Sequence, residues 1–104
     1  MTVTVCSLRK GATPIPDGFQ PVRVDRQTPL GNPYPEKEHG RDGCIARYRD
    51  WLNVQLADPD NPASIQFASI QRRIMQGESI ALMCWCAPKP CHGDVIKERL
   101  ETSP

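Results

Sequence analysis

The sequence lacks an excess of charge of either sign. Its 104 residues include 13 basic and 12 acidic side chains, so the formal net charge is only +1. Domains that bind nucleic acid through its phosphates are usually strongly basic. The net charge therefore gives no support to bulk nucleic-acid binding, and it leaves room only for a local basic patch.

Long apolar segments and a secretion signal are also missing. No apolar run approaches the roughly 20 residues of a membrane-spanning helix. Met1 is followed by Thr-Val-Thr-Val, and not by a basic segment, an apolar segment and a cleavage site. We expect a soluble, cytoplasmic protein without a membrane partner, and the length predicts a single domain over residues 1–104.

Proline is abundant, and the spacing of apolar residues between the proline-rich loops predicts the elements. Most of the 11 prolines fall in residues 14–35, which favours stiff loops there. The periodicity predicts strands over 2–8, 20–26 and 80–83 and helices over 41–57, 62–76 and 92–101. The apolar run 80–83 is typical of a strand buried on both faces. We therefore predict an α/β fold: a small Rossmann-like three-layer domain with a short, mainly parallel sheet flanked by helices.

Cysteine is concentrated in one turn, LMCWCAPKPCHGDV at residues 82–95, which contains Cys84, Cys86, Cys91 and His92. The turn connects a predicted buried strand to a predicted helix, and ligands of open α/β sheets bind at the carboxyl ends of strands. Cys91 and His92 lie at the start of the helix, where the helix dipole lowers the pKa of a thiol.

Three interpretations of this turn remain open. In the first, Cys84, Cys86, Cys91 and His92 bind zinc, although C-x-C-x4-C-H is not an ordinary zinc spacing. In the second, Cys91 or Cys86 is a reactive thiol beside His92, with Asp94 orienting the imidazole. In the third, the cysteines only fill a packed corner, because free cysteines are commonly buried.

Arginines follow the predicted strands and the glycine-proline loop. Arg9 and Arg26 each come after a strand, and Arg41 comes after Gly31-Asn32-Pro33. If the strands are parallel, Arg9 and Arg26 lie at the same end of the sheet as the cysteine turn, and Arg41 is included in the predicted site. Because arginine binds phosphate and carboxylate groups in a fork, the sequence predicts an anion site there.

Two segments, RQTPLGNPYP…EHGRDGCIARYRDWL and SIALMCWCAPKPCHGDVIKERL, resemble the family catalogued as "domain of unknown function 4326". The matching features are Gly31-Asn32-Pro33, Arg41, the stretch 48–52 and the turn 82–92, within residues 22–101. The resemblance implies a bacterial or phage protein and a small Rossmann-type domain. By association it suggests nucleotide or nucleic-acid chemistry, but it brings no established activity.

These observations lead to one principal hypothesis and one alternative. In the first, the domain binds or processes a phosphorylated small molecule, with a nucleotide or a nucleic-acid end as the leading candidate; whether it is an enzyme stays open. Cys91, His92 and Cys86 are the candidate catalytic residues. The candidate ligand-binding residues are Arg26, Gly31, Asn32, Pro33, Arg41, Cys84 and Asp94. In the alternative, a non-enzymatic interaction module contains a structural zinc site or only a packed turn, and a homo-oligomer is compatible with either.

Overall fold

The computed structural model describes residues 3–9, 14–34, 36–85 and 91–102. Within these residues the chain forms three strands and three helices, which follow each other in the predicted order. The elements are β1 (Val3–Ser7), β2 (Phe19–Arg23), α1 (Glu36–Leu56), α2 (Pro62–Met75), β3 (Ser79–Cys84) and α3 (His92–Thr102).

The three strands form one parallel sheet in the order β1-β3-β2. Ser7 pairs with Cys84 and Arg23 pairs with Met83, so all three strands end at the same edge. The central strand is the apolar run, whose residues 80–84 are all buried. The prediction of an α/β fold with a short parallel sheet flanked by helices is confirmed.

One apolar cluster joins the sheet to every helix of the described chain. On the sheet side it contains Val3, Ile80 and Leu82, which alternate along β1 and β3 and therefore face the same side. The helices contribute Tyr48, Leu52, Ala63, Phe67, Ile70, Val95, Ile96 and Leu100. Burial of these side chains is the main source of stability, because apolar area removed from water contributes roughly 25 cal/mol per Å².

The opposite face of the sheet carries a smaller cluster. It consists of the buried residues Cys6, Ala81 and Met83, with Leu8 and Phe19 packed against them. Leu8 and Phe19 flank the β1–β2 connection, so on this face the described chain covers the sheet with its own loop ends.

The helix boundaries follow the capping residues in the sequence. The side chain of Asn61 accepts a hydrogen bond from the backbone N–H of Ser64, and Pro62 occupies the first turn of α2. Gly77 has a positive φ of 95° after the end of α2, a conformation that glycine adopts without strain.

Helix α1 differs from the predicted range, because the structure extends it to Glu36. Gly40 interrupts it with φ 68° and ψ 168°, so the continuous helix begins at Arg41, where the sequence predicted it. In the part of the chain that the structure describes, no helix is both long enough and apolar enough to cross a bilayer.

Candidate functional site

A cleft of about 210 Å³ opens at the carboxyl edge of the sheet. Four segments of the described chain contribute to it: the loop after β2, the first turns of the continuous part of α1, the end of β3 and the start of α3. The described lining residues are Asp25, Arg26, Gln27, Asn32, Arg41, Cys44, Ile45, Trp85, Cys91 and His92. The cleft is therefore located where ligands of open parallel sheets bind.

The loop after β2 has a fixed shape. The carbonyl oxygen of Asp25 accepts hydrogen bonds from both the backbone N–H and the hydroxyl of Thr28, and Gly31 N–H donates to the carbonyl of Thr28. A Cβ on Gly31 would lie only 2.4 Å from the carbonyl oxygen of Asp25. Only glycine therefore allows the loop to close on itself at this point, which gives Gly31 a structural role beside the cleft.

Side chains from two helices hold the same loop in place. Gln66 on α2 accepts a hydrogen bond from the backbone N–H of Leu30 and donates one to the carbonyl of Arg23. The hydroxyl of Tyr48 on α1 donates to the carbonyl of Leu30 at 2.6 Å. Since Leu30 itself is fully buried, the loop is part of the packed structure. It therefore holds the backbone of Arg26 and Asn32 in defined positions.

Asn32 and Arg26 are held within this loop. The side-chain oxygen of Asn32 accepts a hydrogen bond from the backbone N–H of Tyr34 across Pro33, and the Arg26 guanidinium donates to the carbonyl of Tyr34. Asn32 is buried, whereas Arg26 is exposed. Arg26 can therefore reach a ligand in the cleft at little cost in desolvation.

Asp25 is a buried carboxylate in the lining of the cleft. It accepts two hydrogen bonds from Arg23, at 3.1 and 2.6 Å, and its side chain is only 3% exposed. The Arg23 guanidinium lowers the pKa of Asp25, and a hydrogen bond from the indole of Trp85 acts in the same direction. Asp25 is therefore ionised at neutral pH, and it ties the end of β2 to the end of β3.

Among the described residues, two guanidinium groups and one carboxylate line the cleft. Arg26 comes from the loop after β2, and Arg41 comes from the first turn of the continuous helix. Arg23 already compensates the charge of Asp25. Arg26 and Arg41 thus bring positive charge to the cleft, although the chain as a whole is nearly neutral.

Cys91 is buried at the inner wall of the cleft, and its sulfur lies 3.0 Å from the sulfur of Cys84. The hydrogen bond with Cys84 and the burial of the thiol raise the pKa of Cys91. The sequence predicted a lowered pKa from the helix N-terminus. That prediction is wrong, because the neighbouring thiol and the burial of Cys91 outweigh the hydrogen bond from the backbone N–H of Gly93, which lowers the pKa.

Asp94 closes the start of α3. Its carboxylate accepts a hydrogen bond from the backbone N–H of Cys91 at 3.0 Å, which is half of a capping box. Asp94 itself is exposed and does not line the cleft. The side chain therefore caps the helix, and one donor at the N-terminus of α3 is already satisfied.

His92 is buried and has a defined tautomer. Its Nε2 lies within hydrogen-bond distance of the carbonyl of Val24, which can only accept, so Nε2 carries the proton. Burial lowers the pKa of His92, and the Arg26 guanidinium acts in the same direction, so the ring is neutral at neutral pH. The ring also contacts Tyr48 edge-on, with a centroid distance of 5.1 Å.

The structure brings together five of the residues predicted from the sequence. The cleft is lined by residues from separate segments of the sequence, and among them are Arg26, Asn32, Arg41, Cys91 and His92. The remaining described candidates lie outside the lining: Arg9, Gly31, Pro33, Cys84 and Asp94. Cys86 lies outside the described residues. The roles assigned to all these residues stay predictions.

Five residues of the lining were not among the predicted site residues. Asp25 and Gln27 lie in the loop after β2, so the rule that strand ends carry functional groups could have included them. Trp85 lies within the cysteine turn, where its alternation with Cys84 predicted that it faces packing or a ligand. Cys44 and Ile45 follow Arg41 at helical spacing, but their apolar character predicted core packing.

A zinc site is not formed by the described residues. They contain no group of three histidine, cysteine, aspartate or glutamate side chains arranged to hold an ion. Cys84 and Cys91 could supply two sulfur ligands, whereas the Nε2 of His92 already binds the carbonyl of Val24. The third sulfur of the predicted set belongs to Cys86, which lies outside the described ranges.

A family model described as "Domain of unknown function (DUF4326)" matches residues 8–102. Comparison with curated proteins and with solved structures found no match.

Proposed function

Because the chain belongs to the DUF4326 family, whose description assigns no activity, we propose its function from the cleft itself: it binds a phosphorylated small molecule. A nucleotide or the terminal nucleotide of a strand is the ligand that fits best. The observation that carries this proposal is the convergence of Arg26 and Arg41 beside the exposed indole of Trp85. We place this binding in the cytoplasm of a bacterium or of a cell infected by its phage.

The two arginines supply the charge that a phosphate needs. They come from different segments and line the same cleft, so a phosphate between them can accept hydrogen bonds from both sides. Arg26 is anchored through its contact with the carbonyl of Tyr34, which limits the entropy lost on binding. The N-terminus of α3 contributes less, since Asp94 already binds the Cys91 N–H.

Trp85 supplies the surface that distinguishes a nucleotide from a simple phosphate. Its side chain is 53% exposed although it lines the cleft. The hydrogen bond between its indole and Asp25 fixes the edge of the ring. An exposed indole face of this kind stacks on a nucleic base, and such stacking contributes about 1–3 kcal/mol per base.

The size of the cleft limits the ligand. Pockets for drug-sized molecules usually measure about 300–1,000 Å³, whereas this cleft measures about 210 Å³. It can enclose a phosphate and part of the attached nucleoside, with the rest in solvent. This limit favours a mononucleotide or a strand end over a dinucleotide cofactor.

Catalysis by Cys91, His92 and Cys86 is a further part of the proposal. A neutral His92 with its proton on Nε2 has Nδ1 as its basic atom, and the high pKa of Cys91 leaves the thiol protonated until a base removes the proton. If Cys91 is a nucleophile, Cys91→Ser abolishes turnover and leaves the fold intact. A lower melting temperature with unchanged activity would contradict that role.

Isothermal titration calorimetry tests the binding proposal. Adenosine monophosphate and inorganic phosphate are titrated into the wild type, Arg26→Ala, Trp85→Ala and Arg47→Ala. Arg47 is an exposed residue of α1 outside the cleft lining, so Arg47→Ala controls for the loss of one positive charge.

The expected pattern separates the two parts of the site. Arg26→Ala weakens both ligands about 10-fold or more, because a charge-assisted hydrogen bond contributes about 1.5–3 kcal/mol. Trp85→Ala weakens only the nucleotide, and Arg47→Ala changes neither affinity. Equal binding by Arg26→Ala and Arg47→Ala, or no binding by the wild type, would overturn the proposal.

A further inference from the structure

The two buried sulfurs beneath the cleft form the closest thiol pair in the described chain. Cys84 is the last residue of β3, Cys91 directly precedes α3, and their sulfurs are 3.0 Å apart. A disulfide requires a sulfur separation of about 2 Å. An approach of roughly 1 Å would therefore join the end of the central strand to the start of the last helix.

The two sulfurs differ in access from solvent. Cys91 lines the cleft, whereas Cys84 is fully buried behind it. A small oxidant that enters the cleft meets the sulfur of Cys91 first. Cys84 is then positioned as the second thiol, which reacts with an oxidised Cys91 from the protein side and needs no access to solvent.

We propose that Cys84 and Cys91 form a reversible disulfide when the protein meets a peroxide. The pair is thus a site of oxidative modification in the wall of the cleft. The thiolate of Cys91 attacks one oxygen of hydrogen peroxide, the O–O bond breaks, and hydroxide leaves, which takes up the released proton as water. The thiol of Cys84 attacks the resulting sulfenic acid, the S–O bond breaks, and a second water leaves. Two thiols are oxidised by two electrons, and one peroxide is reduced to two waters.

The reaction depends on deprotonation of a buried thiol. Contact with Cys84 and burial raise the pKa of Cys91, so the thiolate is scarce at neutral pH. The bridge therefore forms faster as the pH rises, and the pair resists brief exposure to oxidant. Cytosolic disulfides of mesophiles are usually transient and redox-sensing, which agrees with a slow and reversible bridge.

The bridge does not depend on the proposed nucleotide ligand, but it changes the same cleft. It removes the Cys91 thiol from the lining and fixes the residue that precedes Trp85. We expect the oxidised form to have a higher melting temperature, because a bridge constrains the unfolded chain, and an altered affinity for any ligand of the cleft.

The test uses the wild type and three variants, each treated with hydrogen peroxide under denaturant-free conditions. Free thiols are titrated, and the intact mass is measured before and after reduction with dithiothreitol. Cys44→Ala is the matched control, because Cys44 is also buried and also lines the cleft. Cys86→Ser removes the remaining cysteine of the turn, and Cys91→Ala removes the proposed partner.

The wild type is expected to lose two of its five thiols and the mass of two hydrogen atoms, both restored by dithiothreitol. Cys44→Ala and Cys86→Ser show the same loss, whereas Cys91→Ala keeps all its thiols. Cleavage of the Cys86→Ser variant by chymotrypsin after Trp85 leaves two peptides that the Cys84–Cys91 bridge still joins.

Two results would overturn the inference. The first is a bridge that disappears in Cys86→Ser and persists in Cys91→Ala. The second is a wild type that gains oxygen atoms on Cys91 without losing a second thiol. The digestion is carried out on a chain that keeps both Cys84 and Cys91, so an unfolded Cys91→Ala variant does not affect the conclusion.

Discussion

The apolar cluster between the sheet and the helices and the cleft at the sheet edge bury different kinds of residue. The cluster consists of aliphatic and aromatic side chains such as Leu82, Leu52 and Ile70. Three buried polar or charged residues, Asp25, Asn32 and His92, line the cleft. Buried polar groups add stability only if they are hydrogen-bonded, so the first region specifies the fold, and the second holds the polar groups of the proposed binding site in place.

The comparison predicts that variants of the apolar cluster change stability alone. Leu82→Ala removes a fully buried side chain from the central strand, and such truncations cost about 2–5 kcal/mol of the free energy of unfolding. Urea denaturation measures this loss. The folded fraction of the variant is expected to bind ligand as the wild type does. A 10-fold weaker affinity with a small change in stability would contradict the separation of the apolar cluster from the proposed binding site.

Gly31→Ala affects both regions, because the loop after β2 connects them. The added Cβ would lie 2.4 Å from the carbonyl oxygen of Asp25, so the backbone must shift. We expect a loss of about 1–3 kcal/mol of stability together with weaker binding, since Arg26 follows Asp25 directly. Gly43→Ala is the control on α1, where the added Cβ would only approach the Cβ of His39. Equal effects of the two substitutions would contradict the close-approach argument.

Asp25→Asn tests the charge that links the ends of β2 and β3. The asparagine amide keeps the shape of the side chain but is uncharged and has one acceptor oxygen in place of two. One of the two hydrogen bonds from Arg23 is therefore lost, and we expect the free energy of unfolding to fall by about 1–2 kcal/mol. The low pKa of Asp25 also predicts acid sensitivity. Its contribution is present above the ordinary value of 3.8 and is lost as the pH falls below it. Thermal unfolding at pH 7 and below pH 3.8 measures both effects, and Asp25→Asn should lose less stability in acid than the wild type.

The smallest expected effect comes from protonation of His92, which makes stability depend on pH in the mildly acidic range. Its pKa lies below 6.5 in the folded protein, so the unfolded chain binds the proton more readily. Stability is therefore full above pH 6.5 and falls as the pH decreases towards the lower folded value. Arg26, Asp25 and Asp94 also act on this ring. Melting temperatures of the wild type and of His92→Gln between pH 5 and pH 8 provide the test, and an identical slope in both proteins would contradict it.

The sequence predicted the elements well where local signals were strong. The apolar run of β3, the Asn61-Pro62 start of α2 and the helical spacing after Arg41 all depend on neighbouring residues. The extension of α1 to Glu36 was missed, because Gly40 and the charged residues around it favour a loop locally.

The candidate site was predicted only in part, for a physical reason. Arg9, Arg26 and the cysteine turn were expected to meet because the carboxyl ends of parallel strands share one edge, but Arg9 does not line the cleft. The pKa of Cys91 was not predictable in this way, since it depends on a sulfur contact with Cys84 and on burial. The roles of Asp94 as a helix cap and of Gly31 as a close-contact residue likewise depend on three-dimensional neighbours.

The most direct test of the central claim compares the affinity of the wild type for adenosine monophosphate and for adenosine by calorimetry. The two ligands share the base and the ribose, so only the phosphate differs. We expect adenosine monophosphate to bind at least about 10-fold more tightly than adenosine, and we expect Arg26→Ala to remove most of this difference. Equal affinities of the wild type for the two ligands would contradict a phosphate site formed by Arg26 and Arg41.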